Sequence, residues 1–389
     1  MRFTPLVFLT LAMLEPEFAQ QRWHARSEVY STKGIVATSQ TLASTAGAQV
    51  LARGGSAADA AIAANIVMTV VEPMSNGIGG DLFAIVRDAK TGQIQGLNAS
   101  GPAPAGLTIK LLKDAGHKEM PQFSIHSATV PGCVRGWADL HAKYGRLPWA
   151  DLFAPAIYYA ENGFPVTELI AQHWSGAFKK LAADPDAAPL LPGGKPPAFG
   201  QVFRNPELAA ALKLIAKDGP NAFYKGPIAE AILAKSRKLG GTFAASDLAT
   251  FQSEWVSTLS TTYRGWTVHE IPPNSQGLAA LSMLNIMELF DLPKLDYQSP
   301  QALHIQIEAQ KLAYADLARY VADPRVSKVP VAGLLSKDYA KRRAALIDQT
   351  KANCSPGEGE PLQSEGDTIY LSVVDSDGNL VSLIQSLYQ

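Results

Sequence analysis

The chain has 389 residues, 47% of them hydrophobic and 18% charged, and a formal net charge of -1 at pH 7. That is a globular composition with apolar material for a large core, and length alone would permit two domains. The near-neutral balance gives no electrostatic reason to expect nucleic acid or an anionic membrane surface as partner, so small molecules or peptides are the expected ones.

Residues 1–19 read as a secretory signal peptide. Arg2 precedes a mostly apolar run from Phe3 to Leu14, with cleavage expected near Ala19, and the run is too short to span a bilayer. A periplasmic or secreted location is therefore expected, with a cytoplasmic one as the alternative. From Gly34 to Thr38 the pattern predicts a short strand, and from Leu42 to Ala52 a helix closed by Gly54 and Gly55, which suit a left-handed C-cap. Ser56 with Asp59 three residues on predicts a capping box, and the alanine-rich helix it opens runs to Pro73. The glycine-rich loop Asn76 to Asp81 follows, expected as a backbone turn lining a cavity, then a hairpin of Leu82 to Val86 and Gln93 to Leu97.

Residues 130 to 350 are expected to be largely helical, with breaks at Val130-Pro131-Gly132 and at Ile271 to Gly277. The stretch His304 to Ala322 predicts an amphipathic helix with Leu303, Ile307, Leu312, Ala315 and Ala318 toward the core and Glu308, Lys311 and Arg319 toward solvent. Ser355 to Pro361 reads as a polar linker. A second hairpin, Ile369 to Val374 and Leu380 to Ser386, turns around Asp375 to Asn379. Two hairpins with helices outside them suggest a layered α/β arrangement. Because the chain stops directly after a strand, it is expected to lack roughly the last third of a larger protein.

Cys133 and Cys354 are the only cysteines, with no CxxC pair, and the seven histidines form no HxH, HxxxH or HExxH pattern, so neither metal nor cofactor is expected. Gly55-Ser56-Ala57-Ala58 lacks the closing glycine of a nucleophile elbow, and the Gly77 to Gly80 loop lacks the spacing of a nucleotide cradle. Thr368, at the doorstep of a strand, is the chemically suggestive residue. In mid-chain its hydroxyl is a poor nucleophile, but cleavage of the Asp367-Thr368 bond would give it a free α-amine as its own general base.

In this company the sequence resembles the γ-glutamyltranspeptidase family (glutathione hydrolases) from about Gly34 to Leu387. The resemblance is carried by Gly54-Gly55-Ser56-Ala57-Ala58-Asp59-Ala60-Ala61, the Gly77 to Gly80 loop, Thr129-Val130-Pro131-Gly132 and Gly219 to Gly226. Further pieces are Pro272-Pro273 with Ser275 and Gly277, Lys311 to Asp316 with Asp323-Pro324, and Ser372 to Asp375 with Asp377-Gly378-Asn379.

The resemblance implies an N-terminal nucleophile hydrolase of α/β (α+β) class, a four-layer αββα sandwich that would be incomplete at the C-terminus here. It implies one composite domain, cut autocatalytically into a large-subunit region, 20–367, and a small subunit of which 368–389 is the start. Thr368 would be the nucleophile, Asp367 and Thr368 the cleavage site, and Ser386 a hydroxyl beside the nucleophile. The implied activity is that of a γ-glutamyltransferase or glutathione hydrolase, moving the γ-glutamyl group of glutathione or a related amide to water or to an amino-acid or peptide acceptor. Besides its substrates, the implied partner is its own small subunit. Two positions depart from the family: Ser100 stands where an arginine clamps the γ-glutamyl α-carboxylate, and Tyr388 where many members carry an asparagine. These departures keep two alternatives open, an acylase acting on a non-glutamyl amide and an exported relative that binds a small peptide without turnover. At this length the chain is expected to be inactive on its own.

Overall fold

The alternation of apolar residues in the two hairpins gives a single mixed-length sheet that is buried on one side. The computed structural model describes residues 28–356 and 368–386, the last stretch at its two ends as backbone only; the described residues from Lys33 onward belong to one compact unit. The expected signal peptide, Asp367 and Tyr388 lie outside the described residues, as does most of the expected linker.

Strand β1 (Gly34–Thr38) leads into helices α1 (Thr41–Ala52) and α2 (Ala57–Val71), then strands β2 (Asp81–Arg87) and β3 (Ile94–Ala99). Helices α3 (Cys133–Tyr144), α4 (Ala154–Asn162), α5 (Pro206–Asp218) and α6 (Pro227–Lys238) follow, then strands β4 (Glu254–Val256), β5 (Leu259–Tyr263) and β6 (Trp266–Glu270). The chain continues through α7 (Gly277–Met287), α8 (Pro300–Tyr320) and α9 (Lys337–Ala344) to strands β7 (Thr368–Asp375) and β8 (Leu380–Ser386). The main sheet has the order β1-β7-β8-β2-β3-β4, all antiparallel, so the C-terminal hairpin lies between the first strand and the first hairpin.

Helix α2 is the spine of the core: every residue from Ala57 to Val71 is buried. Its alanines let α1 and the sheet come close, and the sheet answers with Leu82, Ala84, Val86, Val373, Val381 and Leu383, all buried. On the other side of the same strands Phe83 and Ile85 are half-buried, and Ile35, Leu380 and Ile384 are exposed. Period-two alternation thus separates a covered face from an open one.

Both ends of α2 are closed as its sequence dictates. Ser56 Oγ accepts from the Asp59 amide at 3.1 Å and Asp59 Oδ2 accepts from the Ser56 amide at 3.0 Å, the reciprocal capping box. The same Asp59 oxygen accepts from the amides of Arg146 and Leu147 at 2.8 and 3.1 Å, tying the turn after α3 to the start of α2. At the far end Asn76 Nδ2 donates to the carbonyls of Met68 and Glu72 at 3.1 and 2.8 Å, satisfying groups that a helix end leaves open. Gly54 has φ +88°, the left-handed conformation expected of it.

Helices α7, α8 and α9 enclose a smaller core of Ile286, Met287, Ala309, Leu312, Ala340 and Ala344. Here the expected facing of α8 is corrected in part. Leu312 and Ala315 are buried as expected, but so are Ile305, Glu308, Ala309, Ala313 and Asp316, whereas Leu303, Ile307 and Ala318 are exposed. The buried stripe is turned because Glu308 has partners inside: it pairs with Lys311 and accepts from the Asn353 amide at 3.2 Å. A buried charge is tolerated where it is paired and hydrogen-bonded. Neither cysteine is in a disulfide; Cys133 is buried and Cys354 exposed.

Asp59→Ala would strip one buried and two part-buried amide donors of their shared acceptor. The expected loss is at least about 3 kcal/mol, read as a lower denaturant midpoint. A change below about 1 kcal/mol would mean that water replaces the carboxylate.

Candidate active site

Register alone brings the sequence-predicted nucleophile and its neighbours to one end of the sheet. Ser386 pairs with Thr368 on one side and with Asp81 on the other, and Leu82 pairs with Ala99, so that Ser100 follows opposite Asp81. Four positions from four strands or strand ends therefore form one cross-strand row. With strands about 4.8 Å apart, the Thr368 and Asp81 backbones stand about 10 Å apart.

Asp81 is the residue here that sequence reasoning missed. It closes the glycine loop, whose turn is present as a Gly80 N–H to Gly77 carbonyl bond of 3.0 Å, and the Gly80 carbonyl accepts from the Gly132 and Cys133 amides at 3.0 and 2.9 Å. These bonds dock the start of α3 on the start of β2. The approach needs glycine: a Cβ on Gly132 would lie 1.8 Å from the Ala99 carbonyl oxygen, and one on Gly101 1.6 Å from that of Val130. Asp81 Oδ1 accepts from the Gly101 amide at 3.3 Å, and the Thr129 hydroxyl also bonds the carboxyl. Burial outweighs both donors and pushes the Asp81 carboxyl up to about 6. Burial and the neighbouring Asp81 charge push the Cys133 thiol up as well. The signal available in the sequence was a single acidic residue heading the apolar run Leu82 to Val86.

Ser100 is held in a closed ring of polar side chains. Its hydroxyl donates to Asn98 Oδ1 at 2.8 Å and accepts from Asn274 Nδ2 at 2.9 Å, while Asn98 Nδ2 donates to Asn274 Oδ1 at 2.9 Å. Asn274 belongs to the loop between β6 and α7, and this loop separates two cavities. One, of about 410 Å³, is bordered by Ser100, Asn98, Glu254, Asp323, Arg325 and Lys328. The other, of about 530 Å³, contains Asp81, Phe83, Glu270, Met283, Tyr314 and Ile384; Asp81, not the loop glycines, is what reaches it. Burial raises the Glu270 carboxyl.

The guanidinium that lines the same cavity as Ser100 is already engaged. Arg325 donates through Nε and Nη2 to Asp323 at 2.9 and 2.7 Å, and its Nη1 lies 3.6 Å from Glu254. The Arg325 contact holds the Asp323 carboxyl below the usual carboxylate range. Lys328 sits at the exposed rim. No histidine, lysine or arginine lines the Asp81 cavity among the described residues.

Comparison with known proteins identifies the family. The family model described as Gamma-glutamyltranspeptidase matches residues 43–389. Among curated proteins, the glutathione hydrolase-like YwrD proenzyme of Bacillus subtilis is 38% identical over 92% of this chain and 68% of its own length. The acylase ACY 1 proenzyme of Pseudomonas sp. strain SE83 is 39% identical, over 92% of this chain and 65% of its own. The chain thus spans about two thirds of the length of the curated relatives it matches. Among solved structures, the cephalosporin acylase from Bacillus halodurans superposes with a TM-score of 0.84 at 42% identity, covering 96% of this chain and 69% of that one. The γ-glutamyltranspeptidase of Helicobacter pylori does so with a TM-score of 0.79 at 30% identity, covering 87% of this chain and 99% of that one.

Asp81 yields a stability prediction with a definite sign. The folded state holds its proton more tightly than the unfolded chain, so stability falls as pH rises from 3.8 to about 6. Asp81→Asn keeps an acceptor and removes the charge. It is expected to raise the thermal midpoint near pH 7.5, by on the order of 2 kcal/mol in stability, and to change little near pH 4. Destabilisation at pH 7.5 would show that the charge is needed by the fold.

Proposed function

The chain belongs to the gamma-glutamyltranspeptidase family, a family of N-terminal nucleophile hydrolases, and from that premise we propose that it is a self-processing threonine amidohydrolase or acyltransferase. In the precursor the Thr368 hydroxyl attacks the Asp367 carbonyl, an N-to-O acyl shift gives an ester, and water opens it. The products are two chains, the second beginning with a free Thr368 α-amine. In the mature protein the same hydroxyl attacks the substrate amide while the α-amine takes its proton and delivers it to the leaving amine. The acyl group, now an ester on Thr368, passes to water or to an amine acceptor. An α-amine titrates ordinarily at about 7.7 to 8.0, so a useful share is neutral base near pH 7, and a positioned base contributes on the order of 10² to 10⁴ in rate. What carries this reading is the cross-strand row in which Thr368 pairs with Ser386 at the end of the sheet where the Asp81 cavity opens.

For the acyl donor the family name favours γ-glutamyl compounds such as glutathione, whereas the surroundings of Ser100 favour a non-glutamyl acyl group, the second reading. Ser100 brings no cation, its hydroxyl is spent on Asn98 and Asn274, and Arg325 in the same cavity is neutralised by Asp323 and Glu254. An α-carboxylate there would forgo a charge-assisted bond of about 1.5 to 3 kcal/mol. The names of two of the similar proteins, a cephalosporin acylase and an acylase proenzyme, support the same choice.

Mass spectrometry of the full-length protein is expected to find two chains parting between Asp367 and Thr368, and Thr368→Ala to remain one chain. An uncut, properly folded protein after long incubation would sink the proposal.

A further inference from the structure

Asp81 stands third in the cross-strand row that starts at Thr368 and is used by neither cleavage nor acyl transfer as described. Along β2 the half-buried Asp81, Phe83 and Ile85 alternate with the fully buried Leu82, Ala84 and Val86. The carboxyl is thus on the sheet face turned away from α2, where it borders the 530 Å³ cavity together with Phe83, Met283, Tyr314 and Ile384. Among the described residues, the one ionisable carboxyl on the wall apart from Asp81 is Glu270, and none of the lining residues is a lysine, arginine or histidine. The described wall is thus mainly apolar, with two carboxyls and no cationic side chain.

We propose that Asp81 is a specificity-determining residue: its carboxylate repels acyl groups that carry a carboxylate of their own and so confines the donor to amides of uncharged acyl groups. The assignment rests on the acyl-transfer reading above and names the donor class of that same site. Like charges about 7 Å apart at an effective dielectric of about 20 disfavour binding by roughly 10- to 100-fold. Because Asp81 titrates near 6, the repulsion is present at neutral pH and fades in mild acid. The groups that face it are the Gly101 amide and Thr129 hydroxyl after β3, the buried Cys133 thiol of α3, Glu270 of β6 and Tyr314 of α8. Cys133 is kept protonated by its burial, which leaves Asp81 and, secondarily, Glu270 to set the charge of the cavity.

The test compares two p-nitroanilides on the full-length processed protein: glutaryl p-nitroanilide and its glutaramoyl counterpart, in which the terminal carboxylate is a neutral carboxamide and neither acyl group carries an amine. Everything but that one charge is shared, so protonation of the Thr368 amine cancels in the ratio of their kcat/KM values. At about pH 7.5 the carboxamide is expected to be preferred at least tenfold, the preference shrinking severalfold by about pH 5, where the substrate carboxylate stays ionised while Asp81 does not. In Asp81→Asn the preference at about pH 7.5 is expected to fall to within about threefold. The pH series on the unmutated protein stands even if that variant fails to fold. Equal use of the two anilides at neutral pH, or a preference unmoved by both pH and Asp81→Asn, overturns the assignment. Absence of turnover with either anilide in a protein that has cut itself overturns the acyl-transfer reading and the assignment with it.

Discussion

Asp375 ties the strand that begins with Thr368 to the body of the molecule. Its buried carboxylate accepts from the Ala57 amide at the start of α2 at 3.1 Å, and from the Asp377 amide, the Asn379 amide and Asn379 Nδ2 within its own turn at 2.8 to 3.0 Å. Residues more than 300 positions apart in sequence are thereby locked at one end of the β7-β8 hairpin. In an antiparallel pair a slip of one residue would turn every side chain to the opposite face. Fixing the turn therefore fixes the opposite end, where Thr368, Ser386 and Asp81 meet. The Arg146–Asp377 ion pair at 2.7 Å adds a partly exposed second tie from the turn after α3, worth little on its own.

Three aspartates of this core are handled by one rule with different results. Asp59 and Asp375 are each surrounded by three or more donors, nearly all backbone amides, and act as structural nodes. Asp81 receives one amide at 3.3 Å and one hydroxyl, and borders open space. The number of donors offered to a buried carboxylate decides whether its charge stabilises the fold or is a cost that the fold tolerates. A group of the second kind beside a cavity is where function is expected.

Much of the frame was legible because it is written locally. The Ser56–Asp59 box, the left-handed Gly54, the alanine face of α2 and both hairpins each depend on residues within a few positions of one another. The facing of α8 was not, because Leu303 and Ile307 offer as good an apolar stripe as Ile305 and Leu312, and the choice is made by Asn353 reaching back to Glu308. Asp81 escaped notice for the same reason. Its neighbours Ser386, Gly101, Thr129 and Glu270 come from four other segments, and no spacing in the sequence announces that they converge. Thr368 was singled out by its place at a strand entry and Ser386 through a resemblance, and the register of the sheet accounts for their standing opposite one another.

The polar ring around Ser100 bears on how such a pocket can change over generations. Asn98, Ser100 and Asn274 satisfy one another in a closed circuit, so a long cationic side chain at position 100 would take the hydroxyl acceptor from Asn274 Nδ2 and meet the loop that Asn274 anchors. Groups within one hydrogen-bond network do not contribute additively. A lineage drifting toward acidic donors would therefore change positions 98 and 274 along with 100; the pocket's present chemistry is held by three residues rather than one.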